Sequence, residues 1–221
     1  MQLETIIAAS GNEGKIKEIV KIFKGDYLKR LDNIIQWSEK DVFNKESVSQ
    51  HSYKVTIFCR VLLEEVFGKN KTRKQREFIM SCVDHAMFHD WDEALLLRDI
   101  SHETKYNPYN GEEIRNALNN LSKYLGEREL TDGTPCGSFI FDSLNEVDED
   151  VLTLCKFCDW LALAFFIQRE LLVGNQNLSK QIETVHRGLL ASAEKCEAMF
   201  HKRFNLKVSI VNKFFNVEEN E

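Results

Sequence analysis

Residues 152–167 read LTLCKFCDWLALAFFI, and this apolar stretch decides the fold class. It predicts a long buried helix over residues 148–173. Asp159 lies near the middle of that helix. A carboxylate among so many apolar neighbours is costly to bury unless it is paired or bound to a metal. Asp159 is therefore a metal ligand, a helix-face residue that points at water, or the partner of Lys156 or Arg169.

The rest of the chain shows helical periodicity, few strand patterns and only two Pro, which together predict an all-α fold. Either Ser47 or Ser49 can cap the helix that carries His51. The helix that carries His51 is predicted to end at Gly68, and the next one has a basic start followed by the apolar run 78–88. The other predicted helices cover residues 14–24, 27–37, 111–125 and 179–204.

The length of 221 residues suits one domain over residues 1–221, with its core at about 30–204. Residues 126–146 contain three Gly and a Pro, and they predict an irregular excursion between helices. The tail, residues 208–221, predicts a short apolar strand-like piece followed by an acidic end.

The net charge and the length of the apolar runs argue against two classes of partner, nucleic acids and membranes. The net charge is −6 and the pI about 5.6, which argues against a protein that binds nucleic-acid backbones. No apolar run is long enough to cross a bilayer, and no signal-peptide pattern opens the chain. Most of the six Cys fall in apolar helical runs. We therefore expect a soluble cytoplasmic protein with free thiols, and neither nucleic acid nor membrane as a partner.

Four side chains of the types that bind divalent metals occur in or beside apolar helical stretches: His51, the adjacent pair His89-Asp90, and Asp159. Two His and two Asp leave positions on an octahedral ion for water or substrate, as a hydrolase requires. The alternative for the pair is a helix C-terminal His that faces the negative end of the helix dipole, followed by a capping Asp. Glu93, four residues after His89, would lie near the ion, unless it is a solvated surface residue.

The motifs around these residues resemble those of the HD-domain superfamily. The matching segments are VSQHS (48–52), FHDWDE (88–93) and Cys158-Asp159, with Trp37 fourteen residues before His51 and with Asp99 followed by Lys105-Tyr106. Within the superfamily the chain looks most like the bacterial 5′-deoxynucleotidases, which remove phosphate from deoxyribonucleoside 5′-monophosphates. The resemblance covers roughly residues 30–200, and the blocks are specific as a set, whereas any one of them alone is not.

The resemblance implies a helical bundle with one divalent metal ion (Mn, Co, Fe, Ni or Mg) between its central helices. Glu93 would orient or deprotonate the attacking water, or protonate the leaving 5′-oxygen. Asp99 would hold the sugar or the water network, and Trp37 would pack near the deoxyribose. Related enzymes commonly form dimers, so a homodimer is a further option. The implied metal ligands are His51, His89, Asp90 and Asp159.

One departure from the family pattern concerns the phosphate. The family has an Arg directly before the Trp, and this chain has Gln36, which cannot supply the same charge-assisted contact. Lys40, Lys45 or Lys105 can substitute for it. The leading prediction is a deoxyribonucleoside monophosphatase. The alternatives are a deoxynucleoside triphosphate triphosphohydrolase and a non-catalytic nucleotide-binding regulatory protein on the same scaffold.

Overall fold

The computed structural model describes residues 27–37, 40–90, 93, 99, 109, 111–113, 116 and 147–210. Within these residues the chain is helical, and its one β pairing is an isolated antiparallel bridge between Ile35 and Ser47. The all-α prediction is confirmed. The helices are α1 (Tyr27–Asn33), α2 (Val48–Phe67), α3 (Arg73–Phe88), α4 (Glu149–Leu172) and α5 (Ser179–Phe204), with a short 3-10 helix at Gln176–Leu178.

The sequence pattern predicted some of the observed helix ends and missed others. Helices α4 and α5 match the predicted ranges within one residue, and α2 ends directly before Gly68, whose φ of 64° favours glycine. Helix α1 ends at Asn33 rather than at residue 37, because the next backbone groups pair with residues 46–48 instead of continuing the helix. The chain at Ile210 is helical, not strand-like.

Several predicted elements lie outside the described residues. They are the helix over 14–24, the excursion over 126–146 and the end of the tail, residues 211–221. Residues 111–113 and 116 are helical, as predicted for 111–125, and the rest of that range is outside the described part.

The chain divides into two compact units. Of the described residues, the first unit holds those up to Ser52 and those from Phe88 to Val147. The second unit holds Tyr53–Met87 and the residues from Asp148 onward. The single domain over residues 1–221 stays a prediction.

The core of the second unit is built from large apolar side chains. Each such side chain contributes about 1.5–3 kcal/mol when it is fully buried, so these residues supply much of the unit's stability. The largest fully buried side chains among the described residues are Leu63, Leu154, Phe157, Leu178, Phe200 and Ile210.

Aromatic rings close one end of this core. The ring of Phe204 lies edge-on to Phe67 and Phe78, with centroids 4.8 and 5.3 Å apart. The guanidinium of Arg203 sits 4.7 Å above the Phe78 ring and binds the carboxylate of Asp148, the N-cap of α4. The hydrogen bond from Arg203 lowers the pKa of Asp148. The start of α4 is thereby tied to the end of α5.

Helix α5 lies close against the indole of Trp160, on α4, at Gly188. A Cβ added to Gly188 would lie 2.6 Å from Cε2 of Trp160, well inside van der Waals contact. We therefore expect Gly188→Ala to destabilise the protein by about 1–3 kcal/mol through overpacking, less the gain of up to about 1 kcal/mol from better helix propensity. Chemical denaturation measures this. In a Trp160→Leu background the same change should be neutral or stabilising, and equal destabilisation in both backgrounds would contradict the assigned contact.

The described cysteines are free and buried. Hydrogen bonds with Cys155 and Cys158 raise the pKa of the Cys59 thiol, and burial raises the pKa of the Cys82 and Cys158 thiols. Raised pKa values leave little thiolate to react near neutral pH. The five described cysteines are Cys59, Cys82, Cys155, Cys158 and Cys196.

We expect these five thiols to resist alkylation in the folded protein, because all five are buried and because the pKa is raised at Cys59, Cys82, Cys158 and Cys196. A short pulse of iodoacetamide at pH 8, followed by peptide mass spectrometry, should leave them unmodified, and the same pulse in denaturant should label them all. Rapid labelling of any of them in the native protein would contradict the buried placement.

Among the residues that the structure places, no helix combines the length and the apolar character that spanning a bilayer requires.

Candidate metal centre

The first turn of α2 is fixed by a capping box. The amide N–H of Ser47 donates to Oε1 of Gln50 at 3.0 Å, and the amide N–H of Gln50 donates to Oγ of Ser47 at 3.3 Å. Ser47 is therefore the cap, while the hydroxyl of Ser49 donates to Oδ1 of Asp32 on α1 at 2.5 Å. His51 follows in the same turn, and its N–H donates to the Ser47 carbonyl at 3.0 Å. The capping sequence thus sets the position of the first predicted ligand.

The pair His89-Asp90 lies in the turn that directly follows the last residue of α3. One possible ligand atom from each of His51, His89 and Asp90 lies within 4.8 Å of the other two. The rings of His51 and His89 have centroids 5.6 Å apart and planes tilted by 51°. Three of the four predicted ligands therefore meet in the first unit. Across the described ranges, no other set of three or more His, Cys, Asp or Glu side chains forms such a group.

The donor set fits a divalent transition metal. Two imidazoles and a carboxylate suit ions such as Mn, Fe, Co, Ni and Zn. Nε2 of His89 and Oδ2 of Asp90 are 3.0 Å apart, which is about the edge of an octahedron with bonds of about 2.1 Å. His51 is buried, whereas the side chains of His89 and Asp90 are 14% and 13% exposed. The cluster can therefore take an ion and keep contact with a ligand from outside.

Asp159 belongs to the second unit. Its Oδ2 accepts a hydrogen bond from Nζ of Lys156 at 2.6 Å, and its side chain is 22% exposed. This is the pairing with Lys156 that the sequence left open. The role of Asp159 as a fourth ligand stays a prediction.

Glu93 follows shortly after the His89-Asp90 turn and is hydrogen-bonded to it. Its N–H donates to the carbonyl of Asp90 at 3.0 Å, so the chain turns directly from the ligand pair into Glu93. The residue is only 2% exposed, which does not fit a solvated surface Glu. A buried carboxylate in the same unit as the cluster suits proton transfer.

The predicted substrate residues Trp37 and Asp99 are in contact. The N–H of Trp37 donates to Oδ2 of Asp99 at 2.6 Å, and Trp37 has a φ of 57°, an unusual value for a bulky residue. The hydrogen bond offsets part of the cost of that conformation. Gln36 is buried, and its Oε1 has no hydrogen-bond partner among the described residues. Lys105 lies outside those residues.

Sequence reasoning missed Glu46. This residue is 6% exposed, and its Oε1 lies 3.9 Å from Nδ1 of His51. A Glu in the short segment before a helix reads as a solvated loop residue, so no pattern in the sequence marks it.

Comparison with known proteins agrees with this geometry. A family model described as YfbR-like 5′-deoxynucleotidase matches residues 25–208, which is most of the chain. Among solved structures, an HD-domain phosphohydrolase from Listeria innocua is similar with a TM-score of 0.59 and 21% sequence identity. That alignment covers 81% of this chain and 85% of the other. No match was found among curated proteins. The structural likeness confirms the HD-domain fold that the sequence motifs implied.

Proposed function

The chain belongs to the YfbR-like 5′-deoxynucleotidase family, whose members are metal-dependent phosphohydrolases, and on that premise we propose that it hydrolyses deoxyribonucleoside 5′-monophosphates. The products are a deoxynucleoside and inorganic phosphate. The observation that carries the proposal is the cluster of His51, His89 and Asp90, which lies inside the matched residues. One bound divalent ion would supply charge stabilisation at the phosphoryl group and acidify a water molecule.

The protein groups divide the work between binding and proton transfer. His51, His89 and Asp90 would hold the ion, and Asp159 is proposed as the fourth ligand from the family pattern. Glu93 orients the attacking water and takes its proton, or passes a proton to the 5′-oxygen as the phosphate leaves. Its burial supports this role, because a general acid or base acts from a defined position within hydrogen-bond reach of the proton that it transfers.

The sugar end of the substrate is assigned to Trp37 and Asp99. The unusual backbone of Trp37 is held by the Asp99 carboxylate, so the two residues are directly connected. We propose that the indole packs against the deoxyribose and that Asp99 contacts a sugar hydroxyl or the water network.

Gln36, the residue before Trp37, is the reason for a second candidate function. Gln36 is neutral where the family has Arg, so the phosphate would be held mainly by the metal ion and by a cation such as Lys40, Lys45 or Lys105. A deoxynucleoside triphosphate triphosphohydrolase is the second candidate, because this change alters how the phosphates are held. A non-catalytic regulatory protein is the third, and the buried Glu93 argues against it.

Chromatographic product analysis tests the proposal. The purified protein is incubated with Mn²⁺, Co²⁺ or Mg²⁺ and with each deoxy- and ribonucleoside mono- and triphosphate, and a sample with EDTA serves as the blank. Deoxynucleoside and phosphate from the deoxyribonucleoside monophosphates support the proposal. Deoxynucleoside and intact triphosphate select the second candidate. Bound metal without any product selects the regulatory protein.

A further inference from the structure

The segment before α2 is anchored by its backbone on both sides of Ser47. The carbonyl of Glu46 accepts the N–H of Gln36 at 2.8 Å, and the N–H of Val48 donates to the carbonyl of Ile34 at 2.9 Å. These two bonds flank the isolated bridge between residues 35 and 47. The main chain at Glu46 is therefore fixed, and the side chain starts from a defined position.

The carboxylate of Glu46 faces a predicted metal ligand. Its Oε1 lies 3.9 Å from Nδ1 of His51, and the two side chains are only 7% and 2% exposed. Charges that are shielded from water interact more strongly than exposed ones. A buried anion beside one nitrogen of a neutral imidazole favours the tautomer that carries its proton on that nitrogen.

We propose that Glu46 is a positioning residue, which holds the His51 ring in the Nδ1–H tautomer so that Nε2 is available to the metal ion. This inference rests on the metal site of the proposed function. A carboxylate behind a ligating histidine fixes the orientation of the ring, and losing such a partner typically weakens metal binding about 10- to 100-fold. Glu46 therefore contributes to metal affinity without contacting the substrate.

The backbone arrangement makes this role separable from substrate binding. The hydrogen bond between Gln36 and Glu46 joins main-chain atoms, so a change of the Glu46 side chain keeps its donor and its acceptor. The turn at Trp37 is held by the carboxylate of Asp99. Substitution at Glu46 should thus alter metal binding and leave the sugar-binding element intact.

The test compares Glu46→Gln and Glu46→Ala with a matched control. Glu170→Gln is the control, because Glu170 is a fully buried carboxylate in the second unit, where it accepts a hydrogen bond from Nδ2 of Asn175 at 2.6 Å. Mn²⁺ affinity is measured from the electron paramagnetic resonance signal of the free ion. The tautomer of His51 is read from ¹⁵N chemical shifts of the metal-free protein.

For Glu46→Ala we expect a loss of about 10- to 100-fold in Mn²⁺ affinity and a shift of His51 toward the Nε2–H tautomer. Glu46→Gln should show a smaller change in the same directions, since its amide keeps an acceptor oxygen but loses the charge. Glu170→Gln should match the wild type in both readouts. If Glu46→Ala does not fold, the Mn²⁺ affinity and the His51 tautomer of Glu46→Gln test the proposal.

Wild-type affinity together with an unchanged His51 tautomer in the Glu46 variants would overturn the proposal. A failure of this inference about Glu46 can be told apart from a failure of the proposed function. A wild-type protein that binds Mn²⁺ and shows the tautomer shift on substitution, but releases no phosphate from any monophosphate, refutes the function and retains the role of Glu46.

Discussion

Replacing Asp90 with Ala is expected to abolish both tight Mn²⁺ binding and phosphate release from deoxyribonucleoside monophosphates. The change removes the one carboxylate from the cluster with His51 and His89. A metal ion contributes several kcal/mol of transition-state stabilisation, so turnover should fall by at least about a thousandfold. Metal titration by electron paramagnetic resonance and a phosphate-release assay measure the two effects on the same preparation.

The matched control for this prediction is Glu77→Ala. Glu77 lies on α3, is exposed, and forms a surface ion pair with Arg73 at 2.7 Å. Such pairs contribute little, so this variant should bind Mn²⁺ and turn over substrate like the wild type. Retained metal binding in Asp90→Ala, with loss of activity alone, would show that Asp90 is not a ligand. His89→Ala is expected to behave as Asp90→Ala does.

Glu93→Gln is expected to keep the metal and lose turnover by about 10²- to 10⁴-fold, the range for removal of a general acid or base. The amide has nearly the shape of the carboxylate, so the buried site should stay packed. Mn²⁺ titration and the rate of phosphate release under saturating metal measure the two properties separately. Excess Mn²⁺ should not restore the rate.

The comparison with Glu46→Gln sharpens this prediction. Excess Mn²⁺ should restore turnover in Glu46→Gln, because that variant loses affinity and not the proton-transfer group. Loss of Mn²⁺ binding in Glu93→Gln would make Glu93 a ligand, and wild-type turnover would remove it from the chemistry.

The long helices were predictable because their signal is local and repeated. The apolar stretch around Asp159 predicted α4 within one residue at each end. Gly68 marked the end of α2 because its positive φ strongly favours a residue without Cβ. The order of His51, His89 and Asp90 along the chain also predicted a group that the fold does bring together.

The backbone contacts around the metal cluster could not be predicted from the sequence, because they join residues that are distant along the chain. The bridge at Ile35 and Ser47 rests on a few backbone hydrogen bonds, which leave no hydrophobic period in the sequence. The bond from Trp37 to Asp99 joins residues 62 positions apart. The burial of Glu46 arises only once these pairings have formed, so the residue reads as a surface Glu in the sequence.

The most direct measurement is hydrolysis of thymidine 5′-monophosphate by the Mn²⁺-loaded protein in ¹⁸O-labelled water. Mass spectrometry then determines which product carries the label. The proposed function predicts unlabelled thymidine and inorganic phosphate with one ¹⁸O, because in it Glu93 and a metal ion at the cluster would direct water to phosphorus. No thymidine from the monophosphate, or label in the thymidine, would contradict it.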